Sequence, residues 1–161
     1  MSSRQWDSVL RLCEGDSRIS IISGTLPREE VAALQSLSDC FVSLHRAEGF
    51  GRNIAEAMLL GKPVITSNFS GNIDFTNEVT AFMVGGNTIP VETDQYSFSE
   101  GQYWFDADVT IAAERMQQCI EDTTERTRRA AAGKEFVRTH YAPRAVGDRY
   151  FARLQTLRLV H

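Results

Sequence analysis

Two glutamates with seven residues between them, Glu48 and Glu56, flank a short segment that contains Gly49 and Gly51. Carboxylates accept hydrogen bonds from hydroxyl groups, and glycines let a backbone pass close to a ligand and present its N–H groups. These residues could bind an anion that also carries hydroxyls, with one carboxylate on sugar hydroxyls and the other on a ribose diol. Two simpler interpretations stay open: the glycines serve only a tight turn, and Glu56 is an exposed helical residue paired with Arg52.

The segment lies between a predicted strand and a predicted helix. Residues 40–44 form an apolar run typical of a strand, and residues 52–60 favour a helix that Gly61 closes. In a parallel α/β sheet, ligands bind beyond the carboxyl ends of the strands, and the N-terminus of the following helix attracts anions. Because Glu56 lies one turn into the helix and leans back toward the loop, we expect both carboxylates at this edge of the sheet.

The rest of the chain alternates strands with helices. Its periodicity predicts helices at 6–13, 27–38, 107–122, 125–140 and 143–157, and strands at 19–22, 63–67 and 81–84. Residues 85–105 mix glycine, asparagine, proline and serine with scattered aromatic residues, which indicates an irregular loop. The alternation predicts an α/β fold with a mostly parallel sheet.

Composition narrows the class of protein. The 161 residues carry a net charge of −4 and are 42% hydrophobic, which suits one globular domain and excludes intrinsic disorder and disulfide-rich scaffolds. The mild acidity argues against a nucleic-acid partner. Neither the three cysteines nor the three histidines have metal-ligand spacing, so we expect reduced thiols and no metal site. Without a membrane-spanning apolar stretch or a signal peptide, a cytoplasmic location is expected.

Further residues around the two glutamates make the pattern specific. Residues 43–51, 55–58, 61–65 and 70–72 read SLHRAEGFG, AEAM, GKPVI and SGN. This set of motifs resembles the retaining GT-B glycosyltransferases of family 4, among the glycosyl transferases group 1, whose hallmark is E-x7-E. The similarity extends over nearly the whole chain, and residues 100–109 resemble one branch of that family.

The resemblance implies a Rossmann-like three-layer α/β/α domain, the donor-binding C-terminal half of a GT-B fold. The residues that it assigns to the donor site are Glu48, Gly49, Phe50, Gly51, Arg52, Asn53 and Glu56. Glu48 would be catalytic and contact hydroxyls of the donor sugar, Glu56 would bind the ribose, and the backbone N–H groups between them would hold sugar and diphosphate. Arg52 and Asn53 stand where the family more often has apolar residues, so a phosphate contact from Arg52 goes beyond the family pattern.

Two neighbouring groups, the loop at 70–72 and His45, border this site. The resemblance implies that Ser70, Gly71 and Asn72, on the next loop, lie at the same sheet edge and approach the donor. His45 precedes the motif, and a strand-end histidine with satisfied hydrogen bonds is the simpler interpretation of it.

The activity that the resemblance implies is transfer of a sugar, with retention of configuration, from a nucleotide-diphosphate sugar to an unknown acceptor. The acceptor could be a glycan, a lipid or a small molecule, and neither a metal nor another cofactor is expected. A non-catalytic nucleotide-sugar-binding or assembly module is the alternative. Epimerases and phosphorylases on the same scaffold are disfavoured because they lack the E-x7-E string.

The family pattern also predicts that part of a whole enzyme is missing. We expect residues 1–161 to form a single donor-binding domain that lacks its first strands and the N-terminal acceptor domain, so that the isolated chain is an inactive fragment. The strand at 19–22 would then face the strand at 40–44 across a gap. Because unpaired strand edges are costly, we expect either direct pairing of these two strands or a homodimer that fills the gap.

Overall fold

In the computed structural model of the protein, which describes residues 3–93 and 95–160, three short parallel strands form the central sheet. They are β1 (Phe41–Ser43), β2 (Val64–Ser67) and β3 (Phe82–Val84), in the order β1-β2-β3. Ser43 pairs with Thr66, and Ser67 pairs with Val84. The carboxyl ends of all three strands therefore meet at one edge of the sheet, as the sequence predicts.

Six α-helices accompany the strands in the described part of the chain. They are α1 (Ser3–Cys13), α2 (Arg28–Leu37), α3 (Arg52–Leu59), α4 (Val109–Glu121), α5 (Thr123–His140) and α6 (Pro143–Thr156). A 3-10 helix, Ser70–Asp74, follows β2. The six predicted helices are confirmed to within a few residues at each end. None of the helices described is long and apolar enough to cross a membrane.

The helices cover both faces of the sheet. On one face, Met58 of α3 and Val137 of α5 pack with Val64 of β2 in one buried cluster. On the other face, Cys119 of α4 packs with Ile65 of β2 in a second cluster. Successive residues of a strand point to opposite faces, so β2 contributes to both cores. The predicted three-layer α/β/α arrangement is confirmed.

The ends of the helices follow the local sequence. α3 ends at Leu59, and Gly61, which has a φ of +75°, follows its C-cap. The Gly61 N–H donates to the Met58 carbonyl oxygen, and the Lys62 N–H donates to the Ala57 carbonyl oxygen. This pair of bonds is a Schellman motif, which glycine favours because it adopts positive φ without strain. Asp108 and Asp122 are the N-cap residues of α4 and α5. Their side chains accept hydrogen bonds from backbone N–H groups in the first turn of each helix.

Residues 85–105, predicted to be an irregular loop, are only partly irregular. β4 (Gly86–Pro90) and β5 (Tyr103–Ala107) pair as an antiparallel hairpin, and an irregular connection lies between them. Phe105 of β5 is buried, whereas Trp104 is half-buried and Asp106 is exposed, which is typical of a strand with one covered face. A Cβ on Gly86 would collide with the carbonyl oxygen of Asp106, so its glycine reflects close strand pairing.

The chain divides into two units, one ending at Val31 and the other beginning at Ala32. In the first unit, α1 is followed by a turn in which Arg18 forms two side-chain hydrogen bonds with Asp16, at 2.7 and 2.9 Å. Residues 19–22, predicted to be a strand, have no regular secondary structure. Their β-branched side chains suit a strand, but a strand also needs a ladder of backbone hydrogen bonds, which these residues do not form. The predicted strand at 19–22 is therefore wrong.

Candidate functional site

The loop between β1 and α3 passes through a glycine that the backbone requires. Gly51 immediately precedes α3 and has φ 89° and ψ 48°, which is the left-handed region. A Cβ on Gly51 would also lie 3.3 Å from the Cβ of Asn72 and 3.4 Å from the ring of Phe75. Both the left-handed backbone conformation and the lack of space for a side chain therefore explain the glycine at position 51. Gly49 differs, since its φ is not positive and a Cβ there would meet no atom within 4 Å.

A second loop, following β2, is joined to the first by backbone contacts. The Ser70 hydroxyl donates to the Glu48 carbonyl oxygen at 2.6 Å, and the Gly71 N–H donates to the same oxygen at 3.1 Å. The Glu48 N–H lies 3.2 Å from the Ser70 hydroxyl oxygen. A Cβ on Gly71 would collide with the carbonyl oxygen of Gly49. The sequence at 70–71 therefore positions the loop that carries Glu48.

Asn72 lies beneath both loops and is fully buried. Its amide nitrogen donates to the Ser67 carbonyl oxygen at 2.9 Å and to the Thr76 hydroxyl at 3.0 Å. Its amide oxygen lies 3.0 Å from His45 Nε2. A buried side chain with satisfied hydrogen bonds holds its surroundings in place. The expectation that Asn72 approaches the donor is therefore corrected, because its side chain supports the loops from below.

His45 completes this polar network. Its Nε2 faces the Phe69 carbonyl oxygen and the Asn72 amide oxygen, each at 3.0 Å, and its Nδ1 lies 3.1 Å from the Ser43 hydroxyl. Because both partners of Nε2 are acceptors, the hydrogen-bond pattern assigns the ring proton to Nε2, and the Ser43 hydroxyl donates to Nδ1. Both ring nitrogens have partners, which agrees with the simpler interpretation of His45.

The two glutamates differ in their surroundings. Glu48 is half-buried, and its carboxylate makes no hydrogen bond or ion pair with the described residues. Glu56 is half-buried as well and lies 3.8 Å from Arg52 Nε, an i,i+4 ion pair whose arginine side chain is 84% exposed. An exposed pair of this kind is weak. The Glu48 carboxylate is thus available to a ligand, and the Glu56 carboxylate is held only loosely.

Between these carboxylates, three successive backbone N–H groups have no hydrogen-bond acceptor in the described part of the chain. Within the described residues, the N–H groups of Gly49, Phe50 and Gly51 donate to no acceptor. α3 begins directly after them, and its first-turn N–H groups have no partner within the helix. No side chain caps this helix end. Successive free donors at a helix N-terminus form an anion-binding arrangement.

The side chain of Phe50 anchors this segment. Its ring centroid lies 5.1 Å from that of Phe75 and 5.5 Å from that of Tyr141. Phe75 is fully buried, and Phe50 is 41% exposed. The ring therefore fixes the loop to the protein, while Gly49 beside it stays exposed. An apolar groove continues from Phe50 along α3, with Glu56 at its wall.

Arg52 and Asn53 lie in the exposed first turn of α3. Among the described residues, the Arg52 side chain makes no polar contact other than its ion pair with Glu56. The Asn53 carbonyl oxygen accepts a 3.4 Å hydrogen bond from Gln35 of α2. Both side chains can therefore turn toward a ligand, and no strong contact holds either of them in one orientation.

The β4–β5 hairpin borders the site, which the sequence reasoning missed. The Phe105 N–H donates to the Arg46 carbonyl oxygen at 2.9 Å, and Arg46 forms a 3.3 Å ion pair with Asp106. The Phe105 ring stacks on that of Phe69, with centroids 5.0 Å apart. The three consecutive aromatic residues at 103–105 were the available signal, which the irregular-loop prediction overlooked.

Metal binding and catalysis by a cysteine nucleophile have little support among the described residues. No group of three or more His, Cys, Asp or Glu side chains there is arranged to hold a metal ion. Cys40 precedes β1, and burial raises the pKa of its thiol to about 12, with the nearby Cys119 adding to the effect. Since the thiolate is the nucleophilic form, Cys40 is not an activated nucleophile.

Comparisons with known proteins agree on the fold and on one segment. Residues 18–89 match the family model of glycosyl transferases group 1. A search of curated proteins gives no match. Among solved structures, Anabaena HepE in complex with UDP-glucose is 18% identical, with a TM-score of 0.67 over 95% of this chain and 36% of its own.

Two further structures give the same result. The sucrose-phosphate synthase of Thermosynechococcus elongatus is 20% identical, with a TM-score of 0.69 over 96% of this chain and 34% of its own. A glycosyltransferase of Rickettsia africae is 16% identical, with the same TM-score over 96% of this chain and 36% of its own. The chain thus spans about a third of the length of these structures. It has the Rossmann-like fold of a GT-B C-terminal half, and the segment that matches the model of glycosyl transferases group 1, residues 18–89, contains both glutamates and both loops.

Proposed function

We propose that this chain is the donor-binding part of a retaining GT-B glycosyltransferase of family 4. One observation carries the proposal: within the segment that matches glycosyl transferases group 1, a free carboxylate and three free backbone N–H groups meet a helix N-terminus at the carboxyl edge of the sheet. Carboxylates suit sugar hydroxyls, and backbone donors suit a diphosphate. The donor in this proposal is a nucleotide-diphosphate sugar, with no further cofactor.

The proposed roles follow the chemistry of each group. Glu48 is the catalytic residue and orients the donor sugar through its hydroxyls. The N–H groups of Gly49, Phe50 and Gly51 bind the sugar and the diphosphate. Glu56 takes the ribose hydroxyls, because its side chain leans toward the N-terminus of α3. In the first turn of that helix, Arg52 and Asn53 add polar contacts.

In the proposed reaction, the bond between the sugar anomeric carbon and the diphosphate breaks while the acceptor hydroxyl forms a new bond to that carbon on the same face. The hydroxyl proton leaves with the diphosphate. Negative charge therefore develops on the leaving group, where backbone donors and a helix N-terminus stabilise it. These donors are already fixed by the Ser70 and Gly71 contacts, so they need little reorganisation during the reaction.

The chain spans about a third of the similar structures, so activity of the whole protein is proposed to require a second, acceptor-binding half. A cytoplasmic location remains a prediction of the sequence. The alternative, a non-catalytic nucleotide-sugar-binding module, has the same donor site and differs only in turnover.

Calorimetric titration of the chain with UDP, GDP and ADP tests donor binding. We expect one nucleotide to bind, and Glu56→Gln to weaken it about tenfold, because the ribose loses charge-assisted hydrogen bonds. Glu114→Gln, on the exposed surface of α4, is the matched control and should bind like the original chain. Equal affinity in Glu56→Gln would contradict the role of Glu56.

Turnover separates the transferase from the binding module. The chain joined to an acceptor-binding half is incubated with the nucleotide sugar that binds, and the product anomer is identified by NMR. The transferase proposal expects a product with the configuration of the donor, and loss of product in Glu48→Gln. Tight donor binding without any transfer would support the non-catalytic module instead.

A further inference from the structure

The chain that follows β1 is fixed by contacts from the β4–β5 hairpin. The Phe105 N–H on β5 donates to the Arg46 carbonyl oxygen at 2.9 Å. The Phe105 side chain is 5% exposed, and its ring stacks on that of Phe69 with the centroids 5.0 Å apart and the planes at 6°. One residue of the hairpin thus contacts both loops that border the candidate site.

These contacts form a closed set. His45 Nε2 donates toward the Phe69 carbonyl oxygen at 3.0 Å, and Arg46 is the next residue along the chain from His45. Arg46 is bonded to Phe105, which in turn stacks on Phe69. Satisfied polar networks and closely packed rings favour one arrangement of their members. The backbone at His45 and Arg46, just before Glu48, is therefore held on two sides.

The aromatic pair of Phe69 and Phe105 contributes more to this attachment than the neighbouring ion pair does. Arg46 and Asp106 lie 3.3 Å apart, with side chains that are 51% and 59% exposed, and exposed ion pairs contribute little. Stacked rings stabilise beyond the apolar area that they bury. The Phe105 ring is also packed closely on Gly86, where an added Cβ would lie 2.9 Å from its Cζ atom.

The other parts of the candidate site are held without the hairpin. Three apolar side chains fix α3, which carries Glu56, in the core: those of Ile54, Ala57 and Met58. The N–H groups proposed for the diphosphate lie beside Phe50, whose ring packs on Phe75 and Tyr141. Within the described residues, no hydrogen bond, ion pair or ring contact joins the hairpin to α3. A change in the aromatic pair therefore acts mainly on the Glu48 side of the site.

We propose that Phe69 and Phe105 are positioning residues, which hold the Glu48 loop in place for the donor sugar. The inference rests on the proposed function, in which Glu48 binds the sugar and Glu56 binds the ribose. A group that is already ordered binds a ligand more tightly, because less conformational freedom is lost on binding. The aromatic pair therefore strengthens binding of the sugar and has little effect on binding of the nucleotide.

Amide hydrogen exchange tests the attachment of the loop without any ligand. The Gly71 N–H donates to the Glu48 carbonyl oxygen, so its exchange rate reports how firmly the Glu48 loop is held. We expect Phe105→Leu to raise the Gly71 rate about fivefold relative to the rate at Lys62, which lies just beyond the end of α3. Phe82→Leu, at a buried ring on β3, is the control for lost stability and should leave this ratio of rates unchanged.

Calorimetric titration with UDP-glucose and with UDP, or with the nucleotide sugar that binds and its nucleotide, tests the positioning role. The ratio of the two affinities measures the contribution of the sugar. We expect Phe105→Leu to lower this ratio about fivefold, the scale of one lost aromatic pair, while the UDP affinity stays within about twofold. Phe69→Leu, at a half-buried ring, is a second variant with the same expected result. Phe69→Tyr, which keeps a ring, and Phe82→Leu should retain the ratio.

The outcomes separate this inference from the proposed function. Nucleotide-sugar binding with an unchanged affinity ratio in both leucine variants, or with equal losses for UDP and UDP-glucose, overturns the positioning role and leaves the donor site standing. An unchanged Gly71 rate in Phe105→Leu also overturns it. Faster Gly71 exchange in Phe105→Leu, in a chain that binds no nucleotide sugar, supports attachment of the loop by the aromatic pair and contradicts the donor proposal.

Discussion

At the residue scale, the glycines of the two loops have different reasons to be glycine. Gly71 approaches the Gly49 carbonyl oxygen so closely that a Cβ would collide with it, and Gly51 has positive φ. Gly49 has neither constraint, because its surroundings are open. A side chain at position 49 would therefore extend into the space beside the Glu48 loop, where the proposed donor lies. We infer that the backbone at position 49 is kept bare for the donor.

Alanine substitutions at Gly71 and Gly49 distinguish an effect on folding from an effect on nucleotide binding. Gly71→Ala should lower the free energy of unfolding by about 1–3 kcal/mol, the usual cost of forcing atoms into occupied space. Gly49→Ala should leave the melting temperature unchanged and weaken nucleotide binding. Thermal unfolding and calorimetry measure the two effects. A Gly49→Ala chain that binds nucleotide as tightly as the original would refute the inference about position 49.

The buried amide of Asn72 gives a second residue-scale prediction. Asn72→Leu leaves His45 Nε2 one acceptor short and removes the donor that reaches the Ser67 carbonyl oxygen. We expect the free energy of unfolding to fall by about 1–3 kcal/mol, because buried polar groups lose their partners. Urea unfolding measures the change. Asn68→Ala, at an exposed asparagine of the same loop, is the control, and an equally small effect in both variants would contradict the supporting role of Asn72.

At the element scale, the start of α5 is fastened by an ionic cluster. Glu125 accepts hydrogen bonds from Arg128 and Arg129, which lower its pKa to about 2. Arg129 is buried, lies 4.7 Å from the ring centre of Phe82, and donates to the Ala81 carbonyl oxygen. This guanidinium therefore connects α5 to the amino end of β3, on the side of the sheet away from the candidate site.

The lowered pKa predicts how stability depends on pH. Glu125 binds its proton more weakly in the folded chain than in the unfolded chain, so its contribution is complete above its ordinary pKa of 4.5 and is lost as the pH falls toward 2. Melting temperatures between pH 7 and pH 3 should therefore fall less in Glu125→Gln than in the original chain. Glu114→Gln serves as the control. Parallel curves for the original chain and Glu125→Gln would rule out this contribution.

Periodicity predicted most elements of the fold, and it failed where strand formation depends on pairing. The helices and the strands β1, β2 and β3 carry their own apolar pattern, and the motif around Glu48 and Glu56 indicated the site. Residues 19–22 have a strand-like composition but no ladder partner. Conversely, 86–90 pair with β5 although their glycine, asparagine and proline disfavour strands. Asn72 supports the two loops, and the hairpin borders the candidate site, through contacts between residues far apart in sequence. Local sequence patterns do not contain such contacts.

At the scale of the whole molecule, the sheet has an open edge. Within the described residues β1 pairs only with β2, and Val42 on β1 is 40% exposed. Exposed strand edges attract other strands. A second copy of the chain, as in the predicted homodimer, would cover this edge. The homodimer is the arrangement that the isolated chain can test.

Analytical ultracentrifugation at several concentrations measures this association. We expect a dimer whose population grows with concentration, and we expect Val42→Lys to shift it toward monomer, because a charged side chain on an edge strand opposes pairing. Val79→Lys, at an exposed valine away from the strands, is the matched control. A monomer at every concentration would exclude the homodimer.

The most direct test of the central claim is amide mapping of the donor site. Two-dimensional NMR spectra of the chain are recorded while UDP-glucose, or the nucleotide sugar selected by calorimetry, is added. The donor-site account predicts that the largest shifts occur at the amides of residues 49–53, and that Glu56→Gln reduces them at equal ligand concentration. The absence of shifts at these amides with every nucleotide sugar, or shifts concentrated elsewhere, would contradict a donor site between Glu48 and Glu56.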